Sequence, residues 1–389
     1  EKNAPGFSVK HRCMFMGLNG FENALLEFDN VKVPVENIVG GVGNGLKLAL
    51  VTLNAGRLSI PGMCVGIGKK CLETLRFWTN SREQWGTKIG NHEEVAEKTA
   101  KVAAGTYAME AMTYWTTELV ERGGQDIRLE AAIAKLFCTE IAWDIVHQTI
   151  QVRGGRGFER ADSLKARGEV PIPIERVMRD IRINTILEGS TEIMHLFIAR
   201  EALDMHMRLA RDIIFPGASL GKKLTTLAKC AAVYAYWYPK QWLHWSYFPL
   251  FADFGRLAGH VRYIRRTSHR LARTIFHVMI LNGPKLERRQ LILGRIVEIG
   301  SELFAMAAAC SRAHAQAKKG GEGAEQGEFL ADLFSRQARK RIDMHFRNIW
   351  CNHDSKNVQA SKLLMNGDLK WMEKGVIKGN LEFPKDFKV

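Results

Sequence analysis

Long apolar runs are missing from this chain: over 389 residues no stretch approaches the roughly 18 to 20 uninterrupted apolar residues that a spanning helix needs. The first residues, EKNAPGFSVK, have neither the basic head nor the apolar run of a secretory signal. Both absences predict a soluble or peripheral protein, and Glu1 without a Met before it points to an incomplete chain. Paired cysteines are missing too. The seven (Cys13, Cys64, Cys71, Cys138, Cys230, Cys310, Cys351) are odd in number, scattered and never in a CxxC pair, which suits a reducing compartment and not a disulfide framework. No histidine has another three or four residues away, so a helix-borne metal pair is excluded and no metal is expected. Zinc-finger spacings, RNP-like aromatic motifs and long lysine runs are absent, so the net charge of +15 is not read as a nucleic-acid signal. It leaves an anionic lipid or a polyanionic small molecule as partners.

What is present is mostly helical. Residues 1 to 40 differ from the rest: ALLEFDNVKVPVENIVG carries short β-type runs, an Asp-Asn turn and Pro34, the tail of a β domain. From Gly45 the period becomes helical, with Leu46, Leu50 and Leu53 on one face and Ala55, Gly56, Gly62, Gly66 and Gly68 permitting close helix contact; Pro61 is expected to kink or split this helix. Asn91 with Glu94 three residues on reads as the N-cap of a second helix that stops at Gly123-Gly124. A third runs from near Asp126 to Gly154-Gly155, and a fourth follows Ser190. Four such helices make a bundle. Beyond about residue 209 a second helical region is expected, with helices near 255–281, 286–318 and 328–348, a low-complexity linker at 318–328 and a polar tail.

The chemistry concentrates in MRDIRINTILEGSTEIMHLFIAREALD, residues 178–204. Glu188 follows Ile186 and Leu187 and precedes a Gly189-Ser190 turn, where Ser190 caps a helix beginning at Thr191. A carboxylate at a helix entrance among apolar neighbours is partly desolvated, a condition that suits a base acting on a carbon acid. The same placement also describes a solvated glutamate that stabilises a helix dipole. Arg57, among small and apolar residues, is either a buried partner for a carboxylate or a cation whose stem snorkels along a helix face.

LEGSTEI resembles the segment of acyl-CoA dehydrogenases in which a Glu-Gly-Thr-type turn carries the base that removes the substrate's α-proton. RVMRDIRI upstream and FIARE downstream sit where that family has an Arg-Asp pair and an arginine reaching toward coenzyme A. MGLNGFENALLEFDNVKVPVENIVG, LNAGRLSI, SREQWGTKI and IQVRGGRGF resemble, in turn, the last strands of its β domain, its first bundle helix, its Arg-x-x-Phe-Gly turn and its Gln-x-x-Gly-Gly-x-Gly-Phe loop. The resemblance implies Glu188 as base and Asn54, Arg57, Gly189 and Arg200 as substrate-binding residues. It places FAD on Arg82, Glu83, Gln84 and Trp85, on Gln151, Gly154 and Gly155, and on Ser190, Thr191 and Glu192. Arg153 and Arg156 add positive charge beside the dianionic group, where glycine lets backbone amides come close.

The fold so implied is mainly α: a β-domain remnant (1–40), a four-helix bundle (41–208) and an additional helical domain with a tail (209–389). The implied reaction is α,β-dehydrogenation of a long-chain fatty acyl-CoA, with an electron-transfer flavoprotein as electron acceptor and a homodimer as the assembly. An acyl-CoA oxidase, or a non-catalytic helical assembly or membrane-binding module, are the other classes left open. The implied location is the cytoplasm, at or near the inner membrane, or the mitochondrial matrix in a eukaryote. Two departures from the family stand out: ERADSLKARGEVPIPIERVMRD is longer and more basic than the usual connection, and the amino-terminal helical domain and most of the β domain are absent. In the extension, Trp237, Trp242 and Trp245 precede basic RYIRRTSHRLAR, so 234–273 reads either as a peripheral membrane contact or as an aromatic core beneath a solvated basic helix.

Overall fold

A computed structural model describes residues 2–124, 126–214, 217–242 and 250–375, without the side chains of Asn54, Ala55 and Ile214. Trp245 lies outside the described residues. The chain divides into two units, Glu1–Phe346 and Arg347–Val389.

The first unit opens with an antiparallel hairpin, β1 (Phe7–Cys13) and β2 (Asn23–Phe28), in which Phe7 faces Phe28. Phe15, Phe21, Leu25, Leu26 and Phe28 are all exposed, so the strand pair has no covering layer among the described residues. Its connecting loop is anchored instead on the bundle. The Leu18 amide donates to Asp180 Oδ1 at 2.7 Å, and Arg179 Nη1 donates to the Met16 carbonyl at 3.1 Å. Gly17 is required there, because a Cβ would stand 2.5 Å from the Arg179 carbonyl carbon and 2.7 Å from the Asp180 amide nitrogen. The Arg-Asp pair noticed in the sequence therefore ties the β segment to the helices.

The bundle is built on α1 (Gly45–Ser81), α2 (Glu93–Arg122) and α3 (Arg128–Arg153), which all touch one another. Helix α1 continues through Pro61, contrary to the expected split; Pro61 is buried, so packing holds the helix across the lost backbone bond. By length and composition α1 is apolar enough to cross a membrane; here Ile60, Val65 and Leu75 of its second half lie in the core. Of its small residues, Gly68 sits at a close crossing, where a Cβ would meet Thr106 Oγ1 at 2.7 Å; Gly62 and Gly66 face open space. Helix α2 buries a nearly continuous run from Val102 to Met112, because α1 and α3 lie against it together with a later helix, α11 (Gln290–Lys319). Its N-cap is His92 and not Asn91, whose amide donates to Thr87 Oγ1 instead.

After Gly154 the chain makes three short helices, α4 (Gly155–Phe158), α5 (Ala161–Ala166) and α6 (Ile174–Ile181), then α7 (Thr191–Leu209), α8 (Arg211–Ile214) and α9 (Leu220–Lys240). The basic connection neutralises itself: Arg156 pairs with Glu169, Arg160 with Asp162, and Arg167 with Glu159 and Glu169. Helix α10 (Ala258–Asn282) packs on α11, which also lies on α7; α12 (Ala324–Trp350) begins at Ala324, so the low-complexity segment is partly helical. Tyr234, Trp237 and Tyr238 gather round Phe276 of α10, with ring centroids 4.7, 5.9 and 5.2 Å away. Several α10 arginines are engaged within the protein, Arg273 over Trp242 and Arg270 over Phe346, each at 3.9 Å.

The second unit holds the end of α12, α13 (Asp354–Met365) and a 3-10 turn, Lys370–Glu373. The expected polar tail is therefore partly helical.

Candidate active site

Glu188 is placed by a turn that few residues can make. Helix α6 runs into a 3-10 turn, Arg182–Thr185, and the amides of Ile186 and Leu187 both donate to the Ile183 carbonyl at 2.8 Å. Glu188 then takes φ 55° and Gly189 φ 105°, two consecutive positive values, before Ser190 caps α7 through the Ile193 amide at 3.5 Å. A left-handed conformation costs a non-glycine residue about 1–2 kcal/mol and persists only where its surroundings determine it. At 189 a side chain is disfavoured by the φ of 105° itself, and a Cβ would press on the Met194 side chain, 3.0 Å from Sδ.

The turn directs the Glu188 carboxylate across α1 at Gly56, where a Cβ would come within 2.7 Å of Oε1. Oε2 is buried without a hydrogen-bond partner. Ile186, Leu187 and Ile193 stand half exposed around it. Arg57 follows Gly56, with its guanidinium 5.2 Å from the Phe197 ring centre; burial lowers its pKa and the charge of Glu188 opposes that. Arg57 thus has the carboxylate neighbour that the sequence offered as one of two readings. From α3, the wholly buried Lys135 donates through Nζ to the Gly189 carbonyl at 2.7 Å, and Glu140 accepts from the Thr191 hydroxyl. Glu192, exposed in the first turn of α7, is held below the usual carboxylate range by its own backbone amide and by Ser190.

A second cluster forms at the other end of α1. After Ser81 the chain makes a tight hairpin, β3 (Glu83–Gln84) and β4 (Thr87–Lys88), through Trp85 at φ 51° and Gly86 at φ 78°. Two positive φ values belong to the hairpin turn whose twist suits its strands, and a tryptophan is an unusual occupant. Trp85 is 93% exposed and meets His92 edge-on at 5.8 Å, while His92 Nε2 lies 3.2 Å from the Gln84 carbonyl. Gln84, Trp85, His92, Lys98, Gln151 and Val152 line a cleft of about 330 Å³. Gly154, at φ 62°, ends α3 beside it, and Gly155 begins α4. Arg82 and Glu83 are exposed on the hairpin but do not line the cleft.

Two charges expected at this cluster are not offered to it. Arg156 is held by Glu169 at 2.6 and 2.9 Å. Arg153 is 4% exposed and lies 5.1 Å from the Trp78 ring centre, with Nε and Nη1 unpartnered; burial lowers its pKa. The reason is local: Trp78 Nε1 donates to the Val152 carbonyl at 3.2 Å, which brings α1 against the end of α3 and covers the Arg153 side chain.

The expected cofactor residues thus fall into two groups. At about 1.5 Å of rise per residue, some 33 Å of helix separates Gly56, beside Glu188, from Trp78, beside the hairpin cleft. Ser190, Thr191 and Glu192 stay with the base; Gln84, Trp85, Gln151 and Gly154 are at the far end. Arg200 is exposed on α7, about 13 Å of helix beyond Thr191. Asn54 lies in α1 close to Gly56, and its side chain is outside the described residues. Sequence reasoning missed Gly56 as the base's neighbour and did not find Lys135, Glu140 or His92. A charge inside the apolar run AAIAKLFC was the one available signal for Lys135.

Residues 43–203 match the family described as acyl-CoA dehydrogenase, C-terminal domain, and residues 256–366 match ACAD9/ACADV, C-terminal domain. The Mycobacterium tuberculosis protein named probable acyl-CoA dehydrogenase FadE10 is 44% identical over 378 residues, covering 97% of this chain and 58% of that protein. The very long-chain specific acyl-CoA dehydrogenase of Mus musculus mitochondria is 29% identical over 335 residues, covering 84% and 48%. Among solved structures, an acyl-CoA dehydrogenase complexed with FAD from Bacillus anthracis superposes with a TM-score of 0.69 at 26% identity, over 94% of this chain and 60% of that one. The chain spans a little over half the length of the first of these relatives and about half of the second.

Proposed function

Because this chain belongs to the acyl-CoA dehydrogenase family, we propose that in the complete protein Glu188 removes the α-proton of a long-chain fatty acyl-CoA, giving the trans-2-enoyl-CoA of fatty-acid β-oxidation. The observation that carries this reading is the carboxylate itself: a strained turn drives it across Gly56 and leaves Oε2 buried without a partner. A solvated glutamate stabilising a helix dipole needs neither feature. Burial of Oε2 without a partner leaves the carboxylate oxygen poorly solvated, which favours proton transfer from a weak carbon acid. Arg57 is the adjacent cation, and with Asn54, Gly189 and Arg200 it belongs to the proposed substrate side.

The hairpin cleft fits the diphosphate half of FAD. It offers an exposed indole, the amides of Gln84 and Gln151 and a positive-φ glycine turn, with Arg82 standing exposed on the hairpin. When bound, the flavin supplies the acceptor for the hydride that leaves the β-carbon. The two clusters lie too far apart to serve one cofactor in one chain, which supports a homodimer whose hairpin cleft completes the partner's site. An electron-transfer flavoprotein is the proposed electron acceptor, and an acyl-CoA oxidase the alternative; reoxidation of reduced enzyme by oxygen, compared with anaerobic reoxidation by that flavoprotein, separates them. Exposed Leu220, Leu224, Leu227 and Tyr236 on α9 support peripheral membrane contact by an enzyme of the cytoplasm or mitochondrial matrix.

The test is Glu188→Gln in the complete protein. Loss of the base should lower kcat by about 10³-fold, with acyl-CoA affinity kept by the isosteric amide. Turnover near that of the wild type would reject the assignment.

A further inference from the structure

We propose that Lys135 is the positioning residue of the base turn, its buried ammonium group gripping the Gly189 carbonyl and so holding Glu188 in the left-handed conformation that points it across Gly56. This rests on Glu188 being the base. Lysine is almost never fully buried unless paired, yet Lys135 has no exposed surface and sits in an otherwise apolar run of α3. Burial pushes its pKa down, opposed by the nearby Glu140, Cys64 and Glu188, while Arg57 adds to the lowering. Its Nζ donates at 2.7 Å to the carbonyl of Gly189, immediately after the strained residue.

The geometry of the tether explains why a lysine is suited to it. Two consecutive residues at φ 55° and 105° aim the Gly189 carbonyl at the Lys135 ammonium on α3. A long stem from α3 can reach that oxygen with a charge-assisted bond, stronger than a neutral donor would make. Five residues along the same helix, Glu140 takes the Thr191 hydroxyl, so α3 holds the turn on both sides of Ser190. The right half of the turn is thereby fixed to a rigid element, and the base inherits that rigidity.

The test uses the 389-residue chain first, without cofactor or substrate. Lys135→Met keeps the volume and removes the donor. Hydrogen-deuterium exchange of residues 186–193 should then accelerate about tenfold or more, while residues 294–313 of α11 exchange as in the wild type. Wild-type exchange in the turn would overturn the proposal. If exchange rises throughout the molecule, Lys135→Gln, which keeps an N–H donor on a shorter stem, is judged by the same comparison; a global rise in both variants assigns Lys135 to core stability and also overturns it. In the complete enzyme Lys135→Met should lower kcat about tenfold with KM changed much less, and should raise the isotope effect measured with α-deuterated acyl-CoA. A purely structural lysine would leave the isotope effect where it was. Should the wild-type enzyme fail to dehydrogenate acyl-CoA, the proposed function falls, while the exchange experiment still decides whether Lys135 holds the turn.

Discussion

The base turn and the hairpin cleft place their polar groups by opposite means. Around Glu188 the chain supplies everything that determines the geometry: a glycine on α1 with no room for a side chain, a buried lysine and a glutamate from α3, and a strained turn capped by Ser190. Around Trp85 it supplies a hairpin and an open cleft, but the side chains that would touch a ligand are exposed, and the buried cation behind them, Arg153, leaves Nε and Nη1 without a partner. The first region fixes its polar groups by contacts within one chain; the second leaves them exposed. Pre-organisation requires neighbours that fix a group's position, and Gly56 of α1 and Lys135 and Glu140 of α3 are such neighbours for the turn.

If that contrast is correct, the two regions should respond differently to the smallest steric insult. Gly56→Ala, in the complete protein, places a methyl within contact of the carboxylate and should lower kcat by about 100-fold through misplacement of the base. Gly154→Ala meets nothing within 4 Å and should cost only the strain of a positive φ, about 1 kcal/mol in denaturant unfolding. Equal effects of the two on kcat would erase the distinction.

A smaller effect should separate the clusters by ligand. The chain by itself, incubated with FAD and desalted, is expected to show strong helical circular dichroism and little yellow absorbance, because the cleft offers exposed polar contacts and little apolar enclosure. Stoichiometric retained flavin would place the binding determinants wholly within this chain. In the complete protein Arg82→Ala should reduce flavin content more than Arg200→Ala, which should instead raise the dissociation constant for acyl-CoA; the same loss of flavin in both would dissolve the division.

The smallest expected change concerns the two buried cations. Arg153 has unpartnered nitrogens over Trp78, so Arg153→Met should leave stability unchanged or raise it by about 1 kcal/mol, since replacing a poorly compensated buried charge with an apolar group relieves its desolvation. Denaturant midpoints decide this. A loss of about 3–5 kcal/mol, the cost of breaking a well-paired buried ion, would show that Arg153 is as fully engaged as Lys135.

Much of this was legible in the residues. The stops at Gly123 and Gly154, the Ser190 cap and the change of period at Gly45 are local signals, and each lies where the sequence placed it. The LEGSTEI segment singled out Glu188 before any geometry was known. Other local signals were outcompeted. Pro61 does not break α1, where it and Ile60 are buried, and Asn91 gives up the cap position because its amide finds Thr87. Arg156 looked like a charge for a dianion until Glu169, thirteen residues away and across a turn, took its Nε and Nη2.

What the sequence determined by itself is the long helices and their stops, since periodicity, caps and turn chemistry act over a few neighbouring residues; Glu188 was singled out by the resemblance its segment bears to a family. Which groups meet was decided only by tertiary structure. Gly56 and Glu188 are 132 positions apart, Lys135 and Gly189 54. No local propensity links such pairs; their contact follows from the depth at which α1, α3 and the base turn pack, and that depth is set by side-chain volumes throughout the bundle.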